Sequence, residues 1–150
     1  MRAFAHRCAY TALWDLNGTV DHFHAYAHAP DSAYDWPNYR YATGWVNSSK
    51  QDKLPGTCMD PFDVEEGWFE IILPSLELVV AKDRVPAHLL GLAQQTLTSL
   101  PIGRHSRVLK ARRVWYEMYR AKELTLDQLR RFAPQIAASV FKAEASAGPP

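Results

Sequence analysis

The sequence predicts an α+β fold: a small hairpin-helix core, a second β-hairpin and a helical C-terminal part. Three observations carry this. Asn17-Gly18 is a strong hairpin-turn signal beside a β-favouring stretch. Residues 68–73 and 76–80 are β-favouring apolar runs around Pro74-Ser75, in which Glu70 and Glu77 alternate with apolar neighbours. The last third repeats apolar residues at helical spacing. With 150 residues, 47% hydrophobic and 22% charged, the chain is ordinary for one globular domain. Its expected parts are a core over residues 1–66, a hairpin over 67–83, a helical extension over 84–142 and a frayed tail over 143–150.

The core comes first in the chain. Residues 8–24 read as a hairpin, with a strand over 9–14, the Asn17-Gly18 turn and a return strand through Thr19-Val20-Asp21-His22-Phe23. Alternation sets Val20 and His22 on one face and Asp21 and Phe23 on the other; a bulge after Val20 would bring Asp21 and His22 together. Residues 24–36 suit a loop. Asp35-Trp36-Pro37 reads as a helix start, with Pro where its missing N–H costs little. The helix would run to Lys50 or Gln51, with Arg40, Gly44, Asn47 and Gln51 stacked on one stripe. Residues 51–64 form a loop with a Pro55-Gly56 turn, and Asp60-Pro61-Phe62 is extended.

The second half follows its periodicity. In the second hairpin, Glu70 and Glu77 mark one wet face. Leu89, Leu90, Ala93, Leu97 and Leu100 mark a helix after Pro86. Val108, Ala111, Trp115, Met118 and Tyr119 mark a second. Thr125 and Gln128 form a capping-box pattern that opens a third, which Pro134 should kink or split.

Chemistry is concentrated in the core. The net charge is only +1, so a nucleic-acid partner has to be argued from local residues. Phosphodiester hydrolysis needs an activated water and neutralised charge at the phosphate. His22 has the ring to act as base. Asp21 and Asn47 offer a carboxylate and an amide oxygen, enough for Mg²⁺, which keeps several of its waters. Asn38 could hold backbone near His22, or its ring. Lys50, one turn beyond Asn47, could contact phosphate, and Arg40 shares its stripe.

Val20-Asp21-His22-Phe23, Tyr34-Asp35-Trp36-Pro37-Asn38-Tyr39-Arg40, Asn47-Ser48-Ser49-Lys50 and Met59-Asp60-Pro61-Phe62, with Gly67-Trp68-Phe69 beyond, resemble the HNH endonucleases. The likeness is to a bacterial branch found with defence systems such as retrons, and it covers residues 8–70. It implies a ββα-metal core and a metal-dependent endonuclease acting on DNA rather than RNA, as a defence effector. Asp21 and Asn47 would hold one Mg²⁺ or Mn²⁺ ion, His22 would be the general base and Asn38 the middle Asn. A protein partner such as a defence-system ATPase is compatible with this. Many HNH proteins carry two Cys-x-x-Cys pairs. Here Thr11 stands where the second Cys would be, and no structural zinc is expected.

Other readings stand beside these. A catalytically decayed HNH-like chain could serve as a nucleic-acid-binding or protein-interaction subunit. His22, His24 and His28 could bind a transition metal, although a polar loop accounts for the last two. Cys8 and Cys58 are expected as small buried residues, and a zinc site joining them to His6 and His24 is poorly spaced. Arg112 and Arg113 belong to a set with Arg104, Arg107, Lys110, Arg120, Lys122, Arg130 and Arg131. That set is either a solvated helical surface or a phosphate-tracking patch. With no apolar run able to span a membrane and no signal-peptide core, a cytoplasmic location is expected.

Overall fold

The computed structural model describes residues 4–51, 53 and 56–147. Two small antiparallel hairpins and five α-helices follow one another in an α+β arrangement. The helices are α1 (Gly44–Lys50), α2 (Leu90–Ser99), α3 (Ser106–Arg120), α4 (Leu126–Phe132) and α5 (Pro134–Ala147). Pro55, in the expected Pro55-Gly56 turn, lies outside the described residues.

The first hairpin differs from the expected one. Strand β1 (Thr19–His22) pairs with β2 (Tyr39–Ala42), not with residues 9–14. Those residues fold back on themselves. Cys8 N–H donates to Leu13 O, Ala12 N–H donates to Cys8 O, and Ala12 takes a positive φ of 55°. Ala9 N–H instead reaches Tyr41 O. Gly18 has a different use from the expected turn residue: a Cβ there would run into the ring of Tyr41, so the position has no room for a side chain.

The expected helix over residues 36–50 is also corrected. Trp36–Asn38 forms a 3₁₀ turn, Tyr39–Ala42 a strand, and only Gly44–Lys50 is α-helical. Tyr39-Arg40-Tyr41-Ala42 is β-favouring, and pairing it with β1 satisfies backbone that a solvent-facing first turn would leave open. The stripe from Arg40 to Gln51 therefore does not exist. Arg40 lies on β2, opposite Asp21.

The second hairpin joins β3 (Phe69–Ile72) to β4 (Glu77–Val80). Its register sets Glu70, Ile72, Glu77 and Val79 on one face and the buried Ile71 and Leu78 on the other. The helices follow their sequence signals closely. Thr125 and Gln128 close a reciprocal capping box. Pro134 divides α4 from α5, taking the first position of the new helix. The frayed tail expected over 143–150 is corrected as far as Ala147, to which α5 runs on, and residues 148–150 lie outside the described residues.

One core joins the parts. Leu129, Ile136, Val140 and Val108 from the helices meet Ile71, Leu76 and Leu78 of the second hairpin and Ala42 and Val46 of the first unit. Trp115 stacks on Phe132 with ring centroids 4.8 Å apart, and Trp14 meets Phe132 edge-on at 5.4 Å. No helix among the described residues is long and apolar enough to cross a membrane.

Candidate active site

The register of β1 and β2 sets the site. Asp21 lies opposite Arg40 and His22 opposite Tyr39. Helix α1 lies against β1, and its side chains Asn47 and Lys50, three residues apart, share one helical face. Asn47 Nδ2 donates to Val20 O at 3.2 Å and to Thr19 Oγ1 at 3.0 Å. Lys50 Nζ donates to His22 O at 2.7 Å. The two helical residues thus hold two carbonyls that sit two apart on the strand.

Asp21 is only 3% exposed. One carboxylate oxygen accepts from Lys50 Nζ at 3.2 Å and the other from the Tyr10 hydroxyl in a short bond. Burial, and then the adjacent Asp21 charge, push the Tyr10 hydroxyl far above its ordinary range, so it stays a donor. A buried charge is tolerable only with such partners.

His22 is half-buried. Its Nε2 lies 2.9 Å from Ala33 O, which can only accept, so Nε2 carries the proton. In the neutral ring this assigns the lone pair to Nδ1. The edge of the ring meets Tyr39, with centroids 5.2 Å apart. Asn38, also buried, fixes the loop that carries Ala33. Its Oδ1 accepts from His24 N–H at 2.7 Å, and its Nδ2 donates to His24 O at 3.0 Å and Ser32 O at 3.2 Å. Asn38 holds backbone on both sides of that loop and leaves the His22 ring to Ala33.

The structure brings Asp21, Asn47 and Lys50 together along β1 and sets Asn38 in the loop beside His22, but the β1–β2 register runs without the expected bulge after Val20, so the side chains of Asp21 and His22 stay on opposite faces. It withdraws three residues expected to meet nucleic acid. Lys50 is buried on Asp21. Arg40 is buried too: Nε donates to Asp60 Oδ1 at 2.8 Å, Nη2 pairs with Asp60 Oδ2, and Nη1 donates to Pro37 O and Tyr39 O. Its guanidinium lies 3.9 Å from the Phe62 ring centroid and 5.2 Å from that of Phe23. Arg112 is 1% exposed and donates to Leu76 O, Gly103 O and Ile102 O at 2.7–3.0 Å. Burial lowers its pKa to about 10. Of the four, Arg113 alone is exposed.

Sequence reasoning missed Tyr10, which holds Asp21, and quoted Asp60 within a motif without its contact to Arg40. No sequence spacing points to either contact, since both are long-range. Two of the withdrawn cations did carry a signal. Arg112 stands four residues after the buried Val108, and Lys50 four after the buried Val46, so each lies on an apolar stripe.

The donors suit a hard cation. A carboxylate has about four lone-pair sites, and Asp21 uses two. Asn47 Oδ1 accepts no bond among the described residues. Among the described residues no three His, Cys, Asp or Glu side chains cluster to hold a metal ion, and the pair here joins a carboxylate to an amide oxygen. His24 is exposed, and Cys8 and Cys58 are buried free thiols, the latter pushed up in pKa chiefly by burial. Cys8 Sγ faces Thr43 Oγ1 at 3.8 Å. Away from these residues, a groove of about 800 Å³ opens between β3, α5 and the segment around Met59 and Val64, with Tyr10 in its wall. Compared with protein-family models, curated proteins and solved structures, the chain matches none.

Proposed function

We propose that the protein is a metal-dependent endonuclease of HNH type, with a ββα-metal core, hydrolysing phosphodiester bonds in DNA. The observation that supports this best is the state of His22. Nε2–H donates to Ala33 O, and in the neutral ring that leaves Nδ1 as the acceptor, on the strand residue that follows the buried Asp21. His22 would take the proton of the attacking water at Nδ1. Asn38 positions the loop that orients the ring. Asp21 and Asn47 would hold one Mg²⁺ or Mn²⁺, which when bound neutralises charge on the phosphate. Lys50 balances the Asp21 charge and fixes the His22 backbone.

The test is plasmid DNA incubated with the purified chain in Mg²⁺, Mn²⁺ or EDTA, beside His22→Ala. Metal-dependent cutting that disappears in the variant is the expected result. Full activity in His22→Ala would remove the base. A second reading, a catalytically silent binding subunit, is favoured by one observation: both Asp21 oxygens already have protein partners. Binding of the same DNA without cutting under either metal is its signature.

A further inference from the structure

The net charge of +1 conceals a sharp segregation. Residues 8–39 contain Asp15, Asp21, Asp31 and Asp35 and no Lys or Arg. Residues 84–116 contain Arg84, Arg104, Arg107, Lys110, Arg112 and Arg113 and no Asp or Glu. Folding then sorts the second set. Arg84 lies 4.0 Å from Glu70, and Arg112 is spent on buried carbonyls. Arg104, Arg107, Lys110 and Arg113 are exposed, and none has an ion pair among the described residues.

We propose that these four side chains form a track for the phosphate backbone of double-stranded DNA, running along the N-terminal half of α3. The inference rests on the nuclease reading only for the identity of the polyanion. Arg107, Lys110 and Arg113 recur every third residue and so form a slowly winding stripe. At about 1.5 Å per residue the stripe is about 9 Å long. That is about the rise of two to three base pairs, each about 3.4 Å. The positive end of the α3 dipole adds to the charge in the same sense.

The track is joined to the site. His105 caps α3 by accepting from Arg107 N–H, and its ring stacks on Trp45 at 6.2 Å and 20°. Trp45 belongs to α1, the helix that carries Asn47. Arg112, beneath the stripe, ties down Ile102 and Gly103 and so fixes the turn from which Arg104 projects. The occupant is argued from what the stripe lacks. A protein partner usually needs buried apolar anchors. The first large apolar side chain exposed on α3, Val114, comes after the last cation of the track. Charge repeated without anchors suits a polymer read by its backbone.

The experiment measures binding of the full chain to a labelled DNA duplex in EDTA, so that cleavage plays no part. The dissociation constant is followed from about 50 to 200 mM salt, and each phosphate contact contributes about 0.9 to the log–log slope. The wild-type slope should be about −3 to −4. The triple variant Arg107→Ser, Lys110→Ser, Arg113→Ser should flatten it by about 2–3 and weaken binding at least about tenfold. Arg130→Ser with Arg131→Ser, on α4 where Arg130 already pairs with Asp127, is the charge control and should change the slope by less than about 1. Equal slopes in the triple variant and the control overturn the track. So does a wild-type chain that ignores duplex at the lowest salt, an outcome that leaves the stripe to an acidic protein. Binding with the expected slope but no plasmid cutting keeps the track and removes the nuclease. Cutting that the triple variant leaves unchanged, with an unchanged slope, does the reverse.

Discussion

Replacing Lys50 with Met probes the most consequential contact at the site. The substitution keeps an apolar stem of similar length, so packing against the Phe23 ring, 5.8 Å from Nζ, changes little. The charge that faces Asp21 is lost, along with the bond to His22 O. Asp21 is then a carboxylate 3% exposed with Tyr10 as its remaining side-chain partner. Breaking a buried pair from one side costs about 3–5 kcal/mol. Against a total stability of about 5–15 kcal/mol this is a large share. At about 2–4 °C per kcal/mol for a chain of this size, the melting temperature should fall by about 6–20 °C. Calorimetry in EDTA reads the shift. The same substitution in an Asp21→Asn background should cost little or even stabilise the chain, because it removes a buried ammonium that has already lost its counter-ion. Equal costs in the two backgrounds would refute the ion-pair argument.

Three further outcomes follow from named contacts. Arg112→Met leaves the Leu76 and Ile102 carbonyls unpaired and Gly103 O with Leu78 N–H alone, and should destabilise the chain by about 3–5 kcal/mol in urea melts, whereas an exposed phosphate-binding arginine would cost almost nothing. Asn38→Ala removes three bonds that close the loop after His22. It should cost about 2–4 kcal/mol and speed proteolysis within residues 24–36, read by mass spectrometry of the fragments. Gly18→Ala drives a methyl into Tyr41, whose hydroxyl is held by Asp15 O at 2.8 Å and cannot swing aside. A loss of about 1–3 kcal/mol is expected in the same melts, and a neutral result would show that the ring moves.

Helices were legible where a long pattern met a punctuation residue. Thr125 with Gln128, Pro134, and the apolar spacing from Leu89 to Leu100 each define one end or one face, and the structure follows them. The first hairpin was not legible, because its strands have four residues each and its partner lies beyond a long loop. Asn17-Gly18 argues for local pairing, yet the closing contacts are non-local: Ala9 with Tyr41 and Asp21 with Tyr10. The order of Asp21, His22, Asn38 and Asn47 along the chain could be read directly. Which charges are spent internally could not, since Arg40 finds Asp60 and Arg112 finds three carbonyls only once the chain is folded. Exposed lysines and arginines look the same in sequence as buried, paired ones, except where they fall on an apolar stripe.

The carbonyls of Val20 and His22 point away from β2, along the open edge of a two-stranded ribbon. Such an edge is a template for a strand from another molecule. Here Asn47 and Lys50 fill it with side-chain donors. The helix that equips the site is therefore also its cover. Local melting of α1 would disassemble the arrangement of Asp21, Asn47 and Lys50 and, in the same step, present a sticky strand to neighbouring chains. Loss of the proposed site and the onset of aggregation become one event, set by the stability of a helix only two turns long.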